Sequence, residues 1–248
     1  MAQILYGIHP ILEALKKRPR AFQRLFLARE SGREDFTQIV SLARTAKINT
    51  ALIPVKELEQ MCRSEQHQGV VAEADPLPLL TIEDVISLWK ERGDKALFLI
   101  LDSIQDPQNF GSLIRSACCC GATAVIFPKD RSATVTGSVA KASAGAVEHL
   151  PLCCTVNIAA ALEILKKEGV WIVGTTPQAE KSLYSFDFNL DMALVIGSEG
   201  KGMRQLIAKK CDFTVSIPMQ GRLDSLNASV AGAVVLFEIM RQRSCREQ

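Results

Sequence analysis

Residues 96–102 read ALFLILD, an unbroken apolar run closed by an aspartate. A strand with one wet face alternates apolar and polar residues, so a continuous run of this length points to a strand covered on both faces. The pattern recurs as TAVIF at 123–127, VWIVGTT at 170–176, MALVIG at 192–197 and FTVSIPM at 213–219. Helical periodicities lie between these runs, over 109–120, 134–145, 157–168, 203–210 and 225–243. Strand and helix alternation of this kind predicts an α/β fold on a mostly parallel sheet. Functional residues of such folds collect at the carboxyl edge of the sheet.

A shorter α/β pattern precedes it, with helices over 10–17 and 35–47 and strands at 22–28, 48–55 and 69–74. DPLPLLT at 75–81 is the best linker signal, and a helix over 81–92 then ends at Gly93. The expected organisation is a small domain over 1–75, a linker and helix over 76–93, and a larger domain over 94–248. A chain of 248 residues accommodates both. No detectable repeat or low-complexity tract interrupts them.

The net charge of +2 conceals an uneven distribution. Residues 1–33 carry Lys16, Lys17, Arg18, Arg20, Arg24, Arg29 and Arg33 against Glu13 and Glu30, a local +5. A solvated helix face and a phosphate-contacting patch both fit this cluster. Aromatic residues are only 6% of the chain, which argues against a surface of stacking aromatics. No apolar run reaches the length of a membrane span. The basic residues follow the first apolar stretch, the reverse of a signal peptide. The eight cysteines form no CxxC and lie away from the three histidines. A cytoplasmic protein with reduced, mostly buried thiols and no metal site is expected.

Three segments carry candidate chemistry. In the first, DSIQDPQNFGSLIR, the strand ends at Asp102, Asn109 stands where a helix begins, and Arg115 follows six residues later. A helix cap with a surface arginine is one reading, and a polar site at the sheet edge is the other. The second, IGSEGKGM at 196–203, has the order G-x-x-G-x-G, neither the dinucleotide fingerprint G-x-G-x-x-G nor a P-loop. Glu199 among glycines is either part of a tight turn or an acid held against a ligand. The third, IPM at 217–219 followed by SLNASVA at 225–231, offers Ser225 as a helix cap and Asn227 in the first turn. Its small residues allow close backbone packing.

In order and wording these segments together resemble the SpoU (TrmH) family of RNA ribose 2′-O-methyltransferases, within the SPOUT superfamily. The likeness covers about residues 96–243. YGIHPILEAL and HQGVVA extend it into the first domain, and FPKDRSA and KASAGAVEHLPL belong to it too. It implies a SPOUT-type sheet with a C-terminal trefoil knot, preceded by a substrate-binding domain. It implies S-adenosylmethionine as cofactor, with Gly197, Ile217, Leu226, Thr175 and Gly174 as its contacts. Catalytic roles fall by position on Arg115, Asn109, Glu199, Asn227 and Ser225. A homodimer is implied, and no metal is required. The implied reaction is 2′-O-methylation of a guanosine ribose in 23S ribosomal RNA. A tRNA ribose methyltransferase and an RNA-binding assembly factor without catalysis are the alternatives. Lys16, Lys17, Arg18, Arg20 and Arg24 become candidate RNA contacts, and His9 and Gln68 could face RNA in the same domain.

Overall fold

The computed structural model describes residues 2–29, 34–222 and 224–245. The chain begins with β1 (Gln3–Tyr6), α1 (Ile8–Lys17), β2 (Phe22–Ala28), α2 (Glu34–Thr45), β3 (Asn49–Ile53), α3 (Val55–Cys62) and β4 (Val70–Ala74). Next come α4 (Ile82–Arg92), β5 (Leu97–Asp102), α5 (Pro107–Cys119), β6 (Ala124–Pro128), α6 (Gly137–Ala142) and β7 (Leu152–Thr155). It closes with α7 (Ile158–Lys167), β8 (Trp171–Thr175), β9 (Lys181–Ser182), β10 (Met192–Gly197), α8 (Gln205–Ala208), β11 (Phe213–Ser216) and α9 (Ala228–Ser244).

The chain forms two compact units, residues 1–78 with 134–149, and residues 79–133 with 150–248. The first is built on a four-stranded sheet of order β1-β4-β2-β3. Only its β2–β3 pair is parallel. The sequence pattern places 134–149 in the larger domain, yet these residues pack here. Gln3 Nε2 donates to the Val135 carbonyl at 2.9 Å, and Tyr6 Oη to Ser138 Oγ at 3.1 Å. Gly137 lies so close that a Cβ would sit 2.2 Å from the Ile4 carbonyl oxygen, so only glycine fits there. The α-helix in this segment covers only Gly137–Ala142, shorter than the periodicity suggests.

The second unit carries a seven-stranded sheet of order β7-β6-β5-β10-β8-β11-β9, parallel at every pairing. Every residue of β5 is buried, as the unbroken apolar run requires. Helix α4 also belongs to this unit. Thr81 and Asp84 form a capping box at its start, and Gly93 adopts the left-handed conformation after its end (φ 68°). Its Ile82, Val85 and Ile86 join the core beside Phe98, Ile126, Leu162, Ile172 and Val195. The physical division therefore falls at residues 78 and 79. The stretch read as linker and helix supplies core to the second unit.

Arg243 fastens the last helix to the sheet. Its guanidinium donates to the carbonyls of Ala96 and Leu190, each at 2.8 Å, and of Lys95 at 3.2 Å and Phe188 at 3.4 Å. Desolvation lowers its pKa from the usual arginine value. Arg243→Ala strips donors from several carbonyls at once. We expect it to lower unfolding stability by about 1–3 kcal/mol, read as an earlier urea midpoint. An unchanged midpoint would show that water replaces the clamp.

All eight cysteines are free thiols. Cys120 and Cys153 are buried, Cys119 and Cys245 exposed and the others half-buried, so the expectation of mostly buried thiols is corrected. Burial pushes the Cys153 thiol up to about 12, which keeps it protonated and inert. Among the described residues, no helix is long and apolar enough to cross a membrane.

Candidate active site

Parallel pairing sets the carboxyl ends of β5 and β10 side by side, with Asp102 opposite Gly197. Three chain segments leave this edge, and their polar residues meet. Asn109 Nδ2 donates to Glu199 Oε1 at 2.5 Å. Asn227 Nδ2 donates to the same oxygen at 2.6 Å and to Asn109 Oδ1 at 3.0 Å. One residue from each of the three sequence motifs thus closes a triangle.

The local structure differs from the sequence reading at both helix starts. Helix α5 is capped by Asp106, whose carboxylate accepts from the amides of Gln108 and Asn109 at 3.2 Å each. Pro107 follows at the first helical position, where its missing N–H is not needed. Asn109 is therefore inside the first turn, buried to 8% exposure, with its side chain free for Glu199. Helix α9 is capped by Asn227 rather than Ser225. Its Oδ1 accepts from Ser229 N at 2.9 Å and Val230 N at 3.2 Å, and from Ser229 Oγ at 2.6 Å. The Asn227 amide is used on both sides, its oxygen for the helix and its nitrogen for the cluster. Aspartate would serve the first task and not the second.

The glycine-rich turn is held in two ways. Ser198 and Gly202 exchange main-chain hydrogen bonds at 3.0 and 2.9 Å. A Cβ on Gly197 would lie 2.2 Å from the backbone of Gly202 and Met203, so that position admits glycine alone. Asp102, with no exposed surface, accepts from Arg204 N at 2.8 Å and Arg204 Nε at 2.6 Å. The carboxylate that ends β5 thus latches the far end of the turn. From the sequence, Asp102 reads only as a strand end. The signal available was a charge terminating an otherwise apolar run.

An open cleft of about 960 Å³ lies against this machinery. Asn109 and Glu199 line it, with Ser103, Asp106, Arg131, Lys201, Met203 and Arg204. Arg131, Lys201 and Arg204 carry no signal in the sequence that marks them for this cleft. Arg115, Ser225 and Asn227 are exposed and are not part of the cleft lining. Arg115 makes no side-chain hydrogen bond or ion pair among the described residues. It sits on α5 six residues beyond Asn109, which turns it ~240° around the helix axis.

Of the five candidate cofactor residues, three end neighbouring strands, one follows a strand and one precedes α9. Gly174 and Thr175 end β8, Gly197 ends β10, and Ile217 follows β11; the sheet order places β8 between the other two. Leu226 directly precedes the α9 cap. Gly174 is covered, since a Cβ there would lie 2.7 Å from Met203 Cε and 2.8 Å from Cys211 Sγ. Thr175 Oγ1 donates to the Val195 carbonyl at 3.2 Å. Among the described residues, 217–222 and 224–226 make no main-chain hydrogen bonds, and Met219 and Leu226 are 39% and 38% exposed. Free peptide groups beside uncovered apolar side chains suit a nucleoside with an amino-acid tail, so these residues fit S-adenosylmethionine.

In the first unit, Lys17, Arg20 and Arg29 are exposed and have no carboxylate partner among the described residues, whereas Arg33 lies outside them. Lys16 pairs with Glu13 at 2.7 Å. Arg18 binds Glu148 at 2.7 Å and the Asp75 carbonyl at 2.6 Å, with a side chain only 17% exposed. Arg24 stands over the Phe26 ring at 5.3 Å. Gln68 Oε1 accepts from Ile8 N at 3.1 Å and from Lys141, which ties it to the start of α1. His9 is exposed.

Comparison with known proteins accords with this arrangement. Residues 96–237 match the SpoU rRNA Methylase family, and residues 4–80 match the RNA 2′-O ribose methyltransferase substrate binding domain. The chain is 38% identical over 246 residues to the 23S rRNA (guanosine-2′-O-)-methyltransferase RlmB of Escherichia coli, covering 98% of this chain and all of that protein. It is 41% identical to RlmB of Pseudomonas aeruginosa, covering 97% of this chain and 96% of the other. The SpoU methyltransferase AviRb of Streptomyces viridochromogenes, solved in complex with AdoMet, superposes with a TM-score of 0.81 at 26% identity. That match covers 98% of this chain and 90% of AviRb. With a parallel sheet of this order, three motifs converging at its edge and a family match over most of the second unit, the chain belongs to the SpoU rRNA methylase family.

Proposed function

We propose that this protein methylates the ribose 2′-oxygen of a guanosine in 23S ribosomal RNA, with S-adenosylmethionine as donor. The observation that carries the reading is the Asn109–Glu199–Asn227 triangle, which joins all three motifs beside one cleft. The full-length likeness to the RlmB proteins supports the choice of substrate. Mapping ribose methylation across total RNA from cells with and without the protein tests it. Loss of a single large-subunit guanosine methyl is expected, and loss of a tRNA methyl instead would overturn the substrate assignment.

When bound, S-adenosylmethionine supplies an electrophilic methyl on a sulfonium, which is its own leaving group. Gly197, Ile217, Leu226 and Thr175, with Gly174 beneath, form the proposed cradle. The protein must then orient a weakly acidic ribose hydroxyl and steady the charge that develops on it. A guanidinium offers donors in a planar fork and no acceptor, so Arg115 is not assigned the role of base. Its assigned role is to bind the adjoining phosphate and stabilise the developing oxyanion. Glu199 holds Asn109 and Asn227 through Oε1, and Oε2 is left to accept from a substrate hydroxyl. Ser225 belongs to the same polar edge, two residues before the α9 cap.

The homodimer is part of the proposal. Helix α9 leaves Val230 48% and Phe237 46% exposed, on a helix whose other side is already core. Exposed apolar side chains on a helix whose opposite side is core call for a second cover, and another copy of this face supplies it. Helix α5 packs beside α9 and displays Arg115 outside its own cleft. In the dimer, Arg115 is proposed to serve the partner's site. The C-terminal knot also belongs here, supported by β10 entering between β5 and β8 while β11 lies beyond β8. In the first unit, Lys17, Arg20 and Arg24 are proposed RNA contacts. Lys16 and Arg18 stand beside them, already partnered within the protein.

A further inference from the structure

The loop after β6 has no part in the function described so far. Among the described residues of the second unit, two non-glycine residues have left-handed backbone, Ser103 at φ 66° and Arg131 at φ 58°. Both line the cleft. They belong to one local device, because the Ile104 carbonyl accepts from Ala133 N at 2.8 Å and from Ser132 Oγ at 3.2 Å. Those two bonds pin the Arg131 loop to the segment that leaves β5. Glycine would occupy φ 58° without the Cβ penalty an arginine carries there. Non-glycine residues held in this region cluster at ligand sites, which singles out the Arg131 loop for a role in the cleft.

The charges of the cleft point to the ligand. Asp106 is committed to capping α5, and Glu199 to two amide donors. Arg204 is committed to buried Asp102. Arg131 and Lys201 are exposed and have no ion-pair or hydrogen-bond partner for their side chains among the described residues. The uncommitted charges are therefore both positive, and they line the same cleft as Asn109 and Glu199. The geometry points to Arg131, seconded by Lys201, as the clamp for the second phosphodiester flanking the ribose being methylated, the one that Arg115 does not hold. This assignment rests on the methyltransferase reading above and adds a positioning residue to it.

The test uses the full-length protein with Arg131→Ala, Arg131→Gly and Arg131→Lys, a 23S rRNA transcript and S-adenosylmethionine. Arg131→Ala is expected to raise KM for RNA about tenfold and to reduce the salt dependence of RNA binding by about one phosphate contact. Affinity for S-adenosylmethionine stays at the wild-type value. Arg131→Gly is expected to share the RNA defect while melting at or above the wild-type temperature, because glycine relieves the backbone. Arg131→Lys recovers part of the binding. An unchanged RNA KM and salt slope in the alanine and glycine variants would overturn the proposal, as would a glycine variant with full RNA affinity. A defect confined to S-adenosylmethionine binding would overturn it too, by assigning Arg131 to the cofactor carboxylate. Each of these outcomes needs a wild-type enzyme that methylates the transcript. If it does not, the substrate reading fails instead.

Discussion

Coexpressed Arg115→Ala and Asn109→Ala subunits are expected to recover about a quarter of wild-type methylation, although each variant alone is inactive. The reasoning is geometric. Asn109 binds Glu199 within its own chain, whereas Arg115 lies on another side of α5 and outside that chain's cleft. If each site combines Asn109 of one subunit with Arg115 of the other, a mixed dimer holds one intact site and one doubly defective site. Random pairing makes about half of the dimers mixed, and half of their sites work. If Arg115 serves its own subunit, both sites of every mixed dimer are broken and nothing is recovered. Arg115→Ala alone is expected to abolish turnover while S-adenosylmethionine still binds by calorimetry. Near-normal turnover in that variant would remove Arg115 from the mechanism.

Asn227→Asp is expected to lower activity by a hundredfold or more near neutral pH (~3 kcal/mol) while α9 remains intact. The new carboxylate keeps the acceptor that caps Ser229 N and Val230 N. It loses the donor that now reaches Glu199 at 2.6 Å, and it sets two carboxylates against each other. Like charges so close raise the pKa of the pair, which then holds one proton at low pH. Activity relative to wild type should therefore rise as the pH falls toward 5.5, because a shared proton restores the donor. Asn227→Ala loses cap and donor together and should show a lower melting temperature with no such pH recovery. A variant profile parallel to wild type would mean that Asn227 acts only as a cap.

Much of the second unit was legible because its strands are buried on both faces and carry no polar interruptions. ALFLILD and MALVIG became β5 and β10 in full register. Helix α4 was legible too, since Thr81, Asp84 and Gly93 are local stop and start signals. Short edge strands such as β1, β7 and β9 were missed, having too few residues to show a period. The segment after Ile53 reads as continued strand, but Pro54 opens α3 there. Both helix starts at the site were misplaced by two or three residues. Asp106 and Asn227 are better placed to cap than the residues proposed, yet Asn109 and Ser225 carry equally suitable side chains. Only the completed turn shows which one meets the free amides.

The division of labour at the site follows from range. Residue type and order alone determined the α/β class, the three polar motifs and the family likeness, because these depend on neighbours within a few positions. What the motifs do together was decided by the tertiary structure. Asn109, Glu199 and Asn227 are separated by 90 and 28 positions, and only parallel pairing of β5 with β10 brings them within hydrogen-bonding distance. The same pairing aligns Asp102 with Gly197 and so allows a strand end to latch a distant turn. The placement of 134–149 with the first unit is of this kind as well. Its glycine at 137 is unremarkable as text and obligatory only because the Ile4 carbonyl stands 2.2 Å from where a Cβ would be. Close approach between remote segments is a property of the packed chain, and no local pattern encodes it.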